Sequence, residues 1–116
     1  MQSPFALTIE HFGDTAVITL VGEFDTTRCS EVTEKIAAGM AEGCVHLVVN
    51  VTELSFCDSM GLRTILEFSN RARAAGGWLR LAGVQGVLRR LLEVTGVSSV
   101  IPVDPDVPTA LQSRIS

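Results

Sequence analysis

The chain has no tyrosine, one tryptophan and one lysine, and its five phenylalanines are dispersed. Eight arginines complete the cations without forming a basic tract, and the net charge is −4. Nucleic-acid binding usually shows a basic stripe, often with aromatic platforms for the bases, so direct binding to nucleic acid is not expected. Long apolar runs are missing too. None approaches the ~20 residues a membrane-spanning helix needs, and no membrane insertion is expected. Met1-Gln2-Ser3-Pro4-Phe5 lacks the basic region and apolar stretch of a signal peptide; the expected compartment is the cytosol. Cys29, Cys44 and Cys57 have wide, unequal spacing. With only His11 and His46 beside them they make neither a C-x-x-C pair nor a zinc-like cluster. They read as small, mostly buried thiols in a reducing compartment, with no metal and no cofactor implied.

The remaining composition is ordinary for a globular protein: 47% hydrophobic and 19% charged residues in 116. That length suits one compact domain over residues 1–116. Phe5 to Glu10 alternates as a half-buried strand does, and Thr15 to Val21 is a second, β-branched strand. The Gly13-Asp14 turn signal, with His11 and Phe12 in the turn, makes 5–21 an expected antiparallel hairpin. Gly22-Glu23-Phe24-Asp25 then leads to a helix with Cys29, Val32, Ile36, Gly39 and Met40 on its apolar side. Asp25, Thr26 or Thr27 would cap it and Gly43 would stop it.

Val45 to Val51 is almost continuously apolar, as expected of a central strand covered on both faces. A loop, 52–57, is expected to follow. Asp58-Ser59 opens the best helical pattern, with Leu62, Ile65, Leu66, Ser69 and Ala72 on one face and Arg63, Glu67 and Arg71 on the other. Gly76-Gly77 ends that helix. Trp78 to Ala82 reads as a strand. Val84, Val87, Leu88, Leu91 and Val94 or Thr95 mark a third helix, stopped by Gly96. Val100-Ile101 is an expected short strand. Asp104-Pro105-Asp106-Val107-Pro108 introduces a final helix to about Ile115, both prolines being tolerable in a first turn. The order β-β-α-β-α-β-α-(β)-α argues an α/β domain with a mixed, mostly parallel sheet.

Four stretches in this order resemble the STAS domain family, specifically its small stand-alone bacterial anti-sigma factor antagonists. They are Gly22-Glu23-Phe24-Asp25, Leu47 to Phe56, Asp58-Ser59-Met60-Gly61-Leu62 and Gly96-Val97. The resemblance covers about residues 5–112 and implies a sheet of four to five strands with about four helices. It also implies that Ser59 is the phosphoacceptor of a partner anti-sigma factor with GHKL-type serine kinase activity. The unphosphorylated antagonist would bind that kinase and free a sigma factor, phosphorylation would release it, and a PP2C-type phosphatase would reset it. Met60 departs from the family, which usually has Ser or Thr there.

From the residues alone, Asp58 is a favoured N-cap, worth roughly 1 kcal/mol over Ala. Ser59 sits where a helix presents unsatisfied N–H groups and the positive end of its dipole, a favourable site for phosphate. Met60, Arg63 and Glu67 project outward beside Ser59, and with Gly61 they form the expected partner-binding set. Asp25 is expected to cap a helix and, through the resemblance, to face the partner. Asn50 is expected to satisfy loop backbone groups at the end of the central strand. Two rival readings stand beside this one. A hydrolase would use Cys57, whose pKa can fall before a helix start, or Ser59; but no G-x-S-x-G elbow is present, and neither His11 nor His46 is an obvious base. A binding module of a stressosome-like assembly, or of a lipid or anion transporter, would share the fold.

Overall fold

The computed structural model describes residues 4–113. Strands β1 (Phe5–Phe12) and β2 (Thr15–Phe24) form an antiparallel hairpin. Helix α1 (Cys29–Ala41), strand β3 (His46–Cys57), helix α2 (Ser59–Ala74), strand β4 (Trp78–Ala82) and helix α3 (Gly86–Thr95) follow. A two-residue strand β5 (Val103–Asp104) and helix α4 (Val107–Gln112) complete the order. The strands lie in one sheet in the order β1-β2-β3-β4-β5, with every pair after the hairpin parallel. This is the mixed, mostly parallel α/β sheet expected from the element order.

Strand alternation divides the core into two layers. Ile18, Leu20, Leu47, Val49, Leu79 and Leu81 pack with Val32 and Ile36 of α1, Leu62, Ile65 and Phe68 of α2, and Leu88 and Leu92 of α3. The alternate residues Val17, Val48 and Ala82 meet Ala110, Val107 and Leu111 of α4. Both sides of β3 are therefore covered, which is why its start is almost wholly apolar. At the far edge Arg80 donates to both carboxylate oxygens of the buried Asp104, at 2.7 and 3.1 Å, fixing β5 to β4.

Several elements differ from the expected ones, each for a local reason. His11 and Phe12 belong to β1 rather than to the turn. The expected loop 52–57 is the second half of β3, paired with β2 as far as Phe24 and Cys57. That pairing survives two irregularities, one between Thr19 and Val21 and one between Gly22 and Glu23. At the first, Asn50 lies within the strand and its Oδ1 accepts from Thr52 N and Oγ1, at 3.2 and 2.7 Å. At the second, Ser55 Oγ donates to Gly22 O at 3.1 Å. Side chains thus satisfy backbone groups that a broken ladder leaves open. These breaks also spoil the hydrophobic alternation, which made the segment look like a loop. Gly22 is required here: its φ is +97°, and a Cβ would lie 2.2 Å from Pro4 O.

In α2, Phe68 is fully buried, a core position that the projection passed over, and Leu66 is only half-buried. In α3 the buried face carries Leu88 and Leu92, whereas Val87 and Val94 are exposed and Val84 precedes the helix. Val100 and Ile101 are not a strand. A 3₁₀ turn, Val97–Ser99, replaces it and β5 lies further on. Asp106 caps α4, so Pro108 falls in its first turn and Pro105 stays outside it. The expected extension of this helix to Ile115 lies outside the described residues.

Candidate functional site

β4 pairs with β3 only over His46–Asn50, so β2 and β3 run on beyond the parallel part of the sheet as a pair. Two polypeptide turns leave the end of that pair. Asp25 caps a 3₁₀ turn, Thr26–Arg28, that leads into α1, and Asp58 caps α2. The backbone joins them first, Asp58 N donating to Phe24 O at 3.2 Å.

The Asp58 carboxylate joins them again. Its Oδ1 accepts from Gly61 N at 2.8 Å, the bond expected of an N-cap. Its Oδ2 reaches across to the other turn and accepts from Thr26 N at 3.0 Å and Thr26 Oγ1 at 3.1 Å. Asp25 acts within its own turn, accepting from Thr27 N at 3.0 Å and Thr27 Oγ1 at 2.5 Å. The Thr27 hydroxyl is the main reason its carboxyl titrates below the usual carboxylate range; Arg28 adds to the effect. Asp25 is therefore the cap chosen from the three candidates, and what it caps is the 3₁₀ turn.

Ser59 is the first residue of α2 and is exposed, and among the described residues its hydroxyl has no hydrogen-bond partner. Met60 beside it is 42% exposed, and Arg63 and Glu67 continue outward along the same side of the helix. Gly61 does not belong to that surface. It is buried beneath the helix start, where a Cβ would lie 2.9 Å from Phe24 O and 3.1 Å from Cys57 Sγ. Its place lets α2 approach the strand ends, so it leaves the expected partner-contact set. Phe56, three residues before Ser59, is 41% exposed, a large apolar side chain that the expected loop 52–57 gives no reason to find at the surface. Reading 52–57 as a strand would have found it, because Phe56 precedes the buried Cys57 and faces the other way.

The thiols lie inward. Cys57 is buried and its thiol donates to Asp58 O at 3.5 Å. Burial, with the Asp58 charge adding, pushes its pKa up to about 12, the reverse of the helix-start lowering considered from sequence. Cys44 lies 3.2 Å from His11 Nδ1, a pairing across 33 residues that no local signal announces. Burial, then the Glu42 and Asp14 charges, raise the Cys44 pKa. His46 packs on Trp78 with ring centroids 4.9 Å apart and has Nε2 3.8 Å from Asp14 Oδ2. Among the described residues no group of three His, Cys, Asp or Glu side chains could hold a metal ion.

The sequence pattern of the STAS domain matches residues 6–110. The chain belongs to the STAS domain family. A candidate anti-anti-sigma factor of Mycobacterium tuberculosis is 38% identical to it over 80 residues, 69% of this chain and 53% of that protein. The chain thus spans about half the length of that relative. The anti-sigma F factor antagonist of Paenibacillus polymyxa is 28% identical over 98 residues, 84% of each chain. The anti-sigma factor antagonist SpoIIAA in its unphosphorylated form superimposes with a TM-score of 0.82 at 24% identity, covering 93% of this chain and 95% of that one. SpoIIAA has also been solved in a phosphorylated form. The fold of this STAS domain is thus that of stand-alone antagonists. Among its described residues no helix is long and apolar enough to cross a membrane.

Proposed function

We propose that this chain is an anti-sigma factor antagonist that switches partners through phosphorylation of Ser59. In this reading the unphosphorylated form binds an anti-sigma factor that is also a GHKL-type serine kinase, and so frees a sigma factor. The kinase then transfers the γ-phosphoryl group of ATP to Ser59 Oγ and ADP leaves. A PP2C-type phosphatase returns the hydroxyl. One observation carries the reading: an exposed, unengaged serine hydroxyl heads a capped helix, beside a carboxylate fixed in place, in a chain of the STAS family.

The physics of the switch follows from where the charge arrives. Phosphate adds roughly −1.5 to −2 charges. At the first residue of α2 it meets the positive end of the helix dipole, which favours it by about 0.3–1 kcal/mol, while the neighbouring Asp58 opposes it. The two effects oppose each other at an exposed helix start, where solvent screens both. A partner surface complementary to a neutral hydroxyl, Met60 and Phe56 would have to desolvate a charge it does not compensate, and each ~1.4 kcal/mol of that penalty is tenfold in affinity. Met60, a flexible and polarisable side chain, suits such a contact; Asp25, Arg63 and Glu67 would frame it.

A pull-down tests the proposal. The unphosphorylated chain is expected to retain a GHKL-type kinase together with ADP or ATP, and Ser59→Asp is expected to lose it. Retention of a membrane transporter or ATPase instead would support the transporter-module reading.

A further inference from the structure

We infer that Thr26 is a positioning residue for the acceptor, acting through Asp58; the inference rests on Ser59 being the phosphoacceptor. Thr26 stands 32 residues from Asp58, yet gives Asp58 Oδ2 both its donors, the backbone N–H at 3.0 Å and the hydroxyl at 3.1 Å. Oδ1 is meanwhile held by Gly61 N at 2.8 Å. A carboxylate oxygen has two lone-pair sites, so Oδ2 is filled.

Two consequences follow for the adjacent serine. A carboxylate free to rotate would have the Ser59 hydroxyl as a neighbouring donor to capture. Held by Thr26, it leaves that hydroxyl without a partner among the described residues, open to an incoming phosphoryl group. The same bonds tie the 3₁₀ turn of Thr26–Arg28 to the start of α2. Both halves of the proposed partner surface are then set before the partner arrives, and docking need not order them. Any residue but proline could supply the N–H; the hydroxyl bond needs Thr or Ser. It is the part of the clamp specific to the side chain at this position.

The test is steady-state phosphorylation of Ser59 with ATP and the GHKL-type kinase recovered with the chain, using parent, Thr26→Val and Thr26→Ser. Thr26→Val is expected to raise KM for the antagonist about threefold to tenfold with kcat within about twofold, the fold-change of one lost solvent-exposed hydrogen bond of ordinary strength. Thr26→Ser should restore the parent KM, and all three should melt within about 2 °C of one another. In an Asp58→Ala background Thr26→Val should change nothing further, since the residue it acts through is gone. A KM for Thr26→Val within twofold of the parent overturns the inference, as does a Thr26→Ser as defective as Thr26→Val, or an undiminished effect without Asp58. If the parent itself takes no phosphate on Ser59, the acceptor reading fails and this role with it.

Discussion

Two helices, α2 and α3, begin after neighbouring parallel strands, and the contrast between their starts is instructive. Both expose unsatisfied N–H groups and a dipole end. At α2, Asp58 fills this role with a side-chain cap and also grips a second turn through Thr26. At α3, Gln85 makes no cap; its amide donates to Thr52 O at 2.7 Å, and Gly86 follows with φ +60°. One start is cross-linked by charge-assisted bonds around an open serine. The other is only tethered to the adjacent strand. A helix start alone therefore does not explain the candidate site. What distinguishes α2 is that its polar groups satisfy one another and leave Ser59 over.

The contrast can be broken most forcefully by adding charge. Ser59→Asp should weaken partner binding by roughly two to three decades, about 3–4 kcal/mol, while melting within a few degrees of the parent. Val94→Asp puts the same charge on α3, at a valine 76% exposed. It should leave affinity nearly unchanged, as read by calorimetric titration, and lower the melting temperature by only a few degrees, since an anion in the last turn of a helix costs about 0.3–1 kcal/mol. Next in size, Leu92→Ala should destabilise the fold by about 2–4 kcal/mol in urea unfolding, because Leu92 is fully buried where α3 meets the core. Similar losses for Leu92→Ala and Val94→Asp would contradict the assigned face of α3. The caps come third. Asp58→Ala should cost about 1–2 kcal/mol, against a few tenths for Gln85→Ala, an exposed residue whose removal strands no buried group.

An effect confined to high pH concerns Cys57 beneath the α2 start. Its folded pKa is about 12 against an ordinary value of 9.0. The folded state therefore binds a proton that the unfolded state has lost between these values. Its contribution to stability is fully present below about pH 9 and is lost as pH rises toward 12. At pH 8, iodoacetamide should label Cys57 only as the chain unfolds, and rapid labelling of the native protein would refute the burial argument.

The element order, the mixed sheet and the Asp58 cap of α2 were legible because their signals are local: hairpin alternation, a continuous apolar strand, and an Asp-Ser helix start. The faults came where local signals compete. In α3, apolar residues at 87, 88, 91, 92 and 94 offer two overlapping stripes, and only packing against Val84, Val97 and Ile101 in the core selects Leu88 and Leu92. In β3, the irregular pairing erased the alternation that would have exposed Phe56. The Thr26–Asp58 clamp and the His11–Cys44 pair join residues 32 and 33 positions apart. No spacing rule reaches that far, because the strand register creates both. Gly61 illustrates the reverse error: it lies within the Asp58–Leu62 stretch but is buried against Phe24 and Cys57.

The proposed switch is Ser59, and the binding predictions above depend on it. Incubating the chain with its GHKL-type kinase partner and ATP, then mapping phosphate by peptide mass spectrometry, tests it most directly. One phosphate is expected, on Ser59, and none on the Ser59→Ala variant; an unmodified chain, or phosphate on another residue, would overturn Ser59 as the switch.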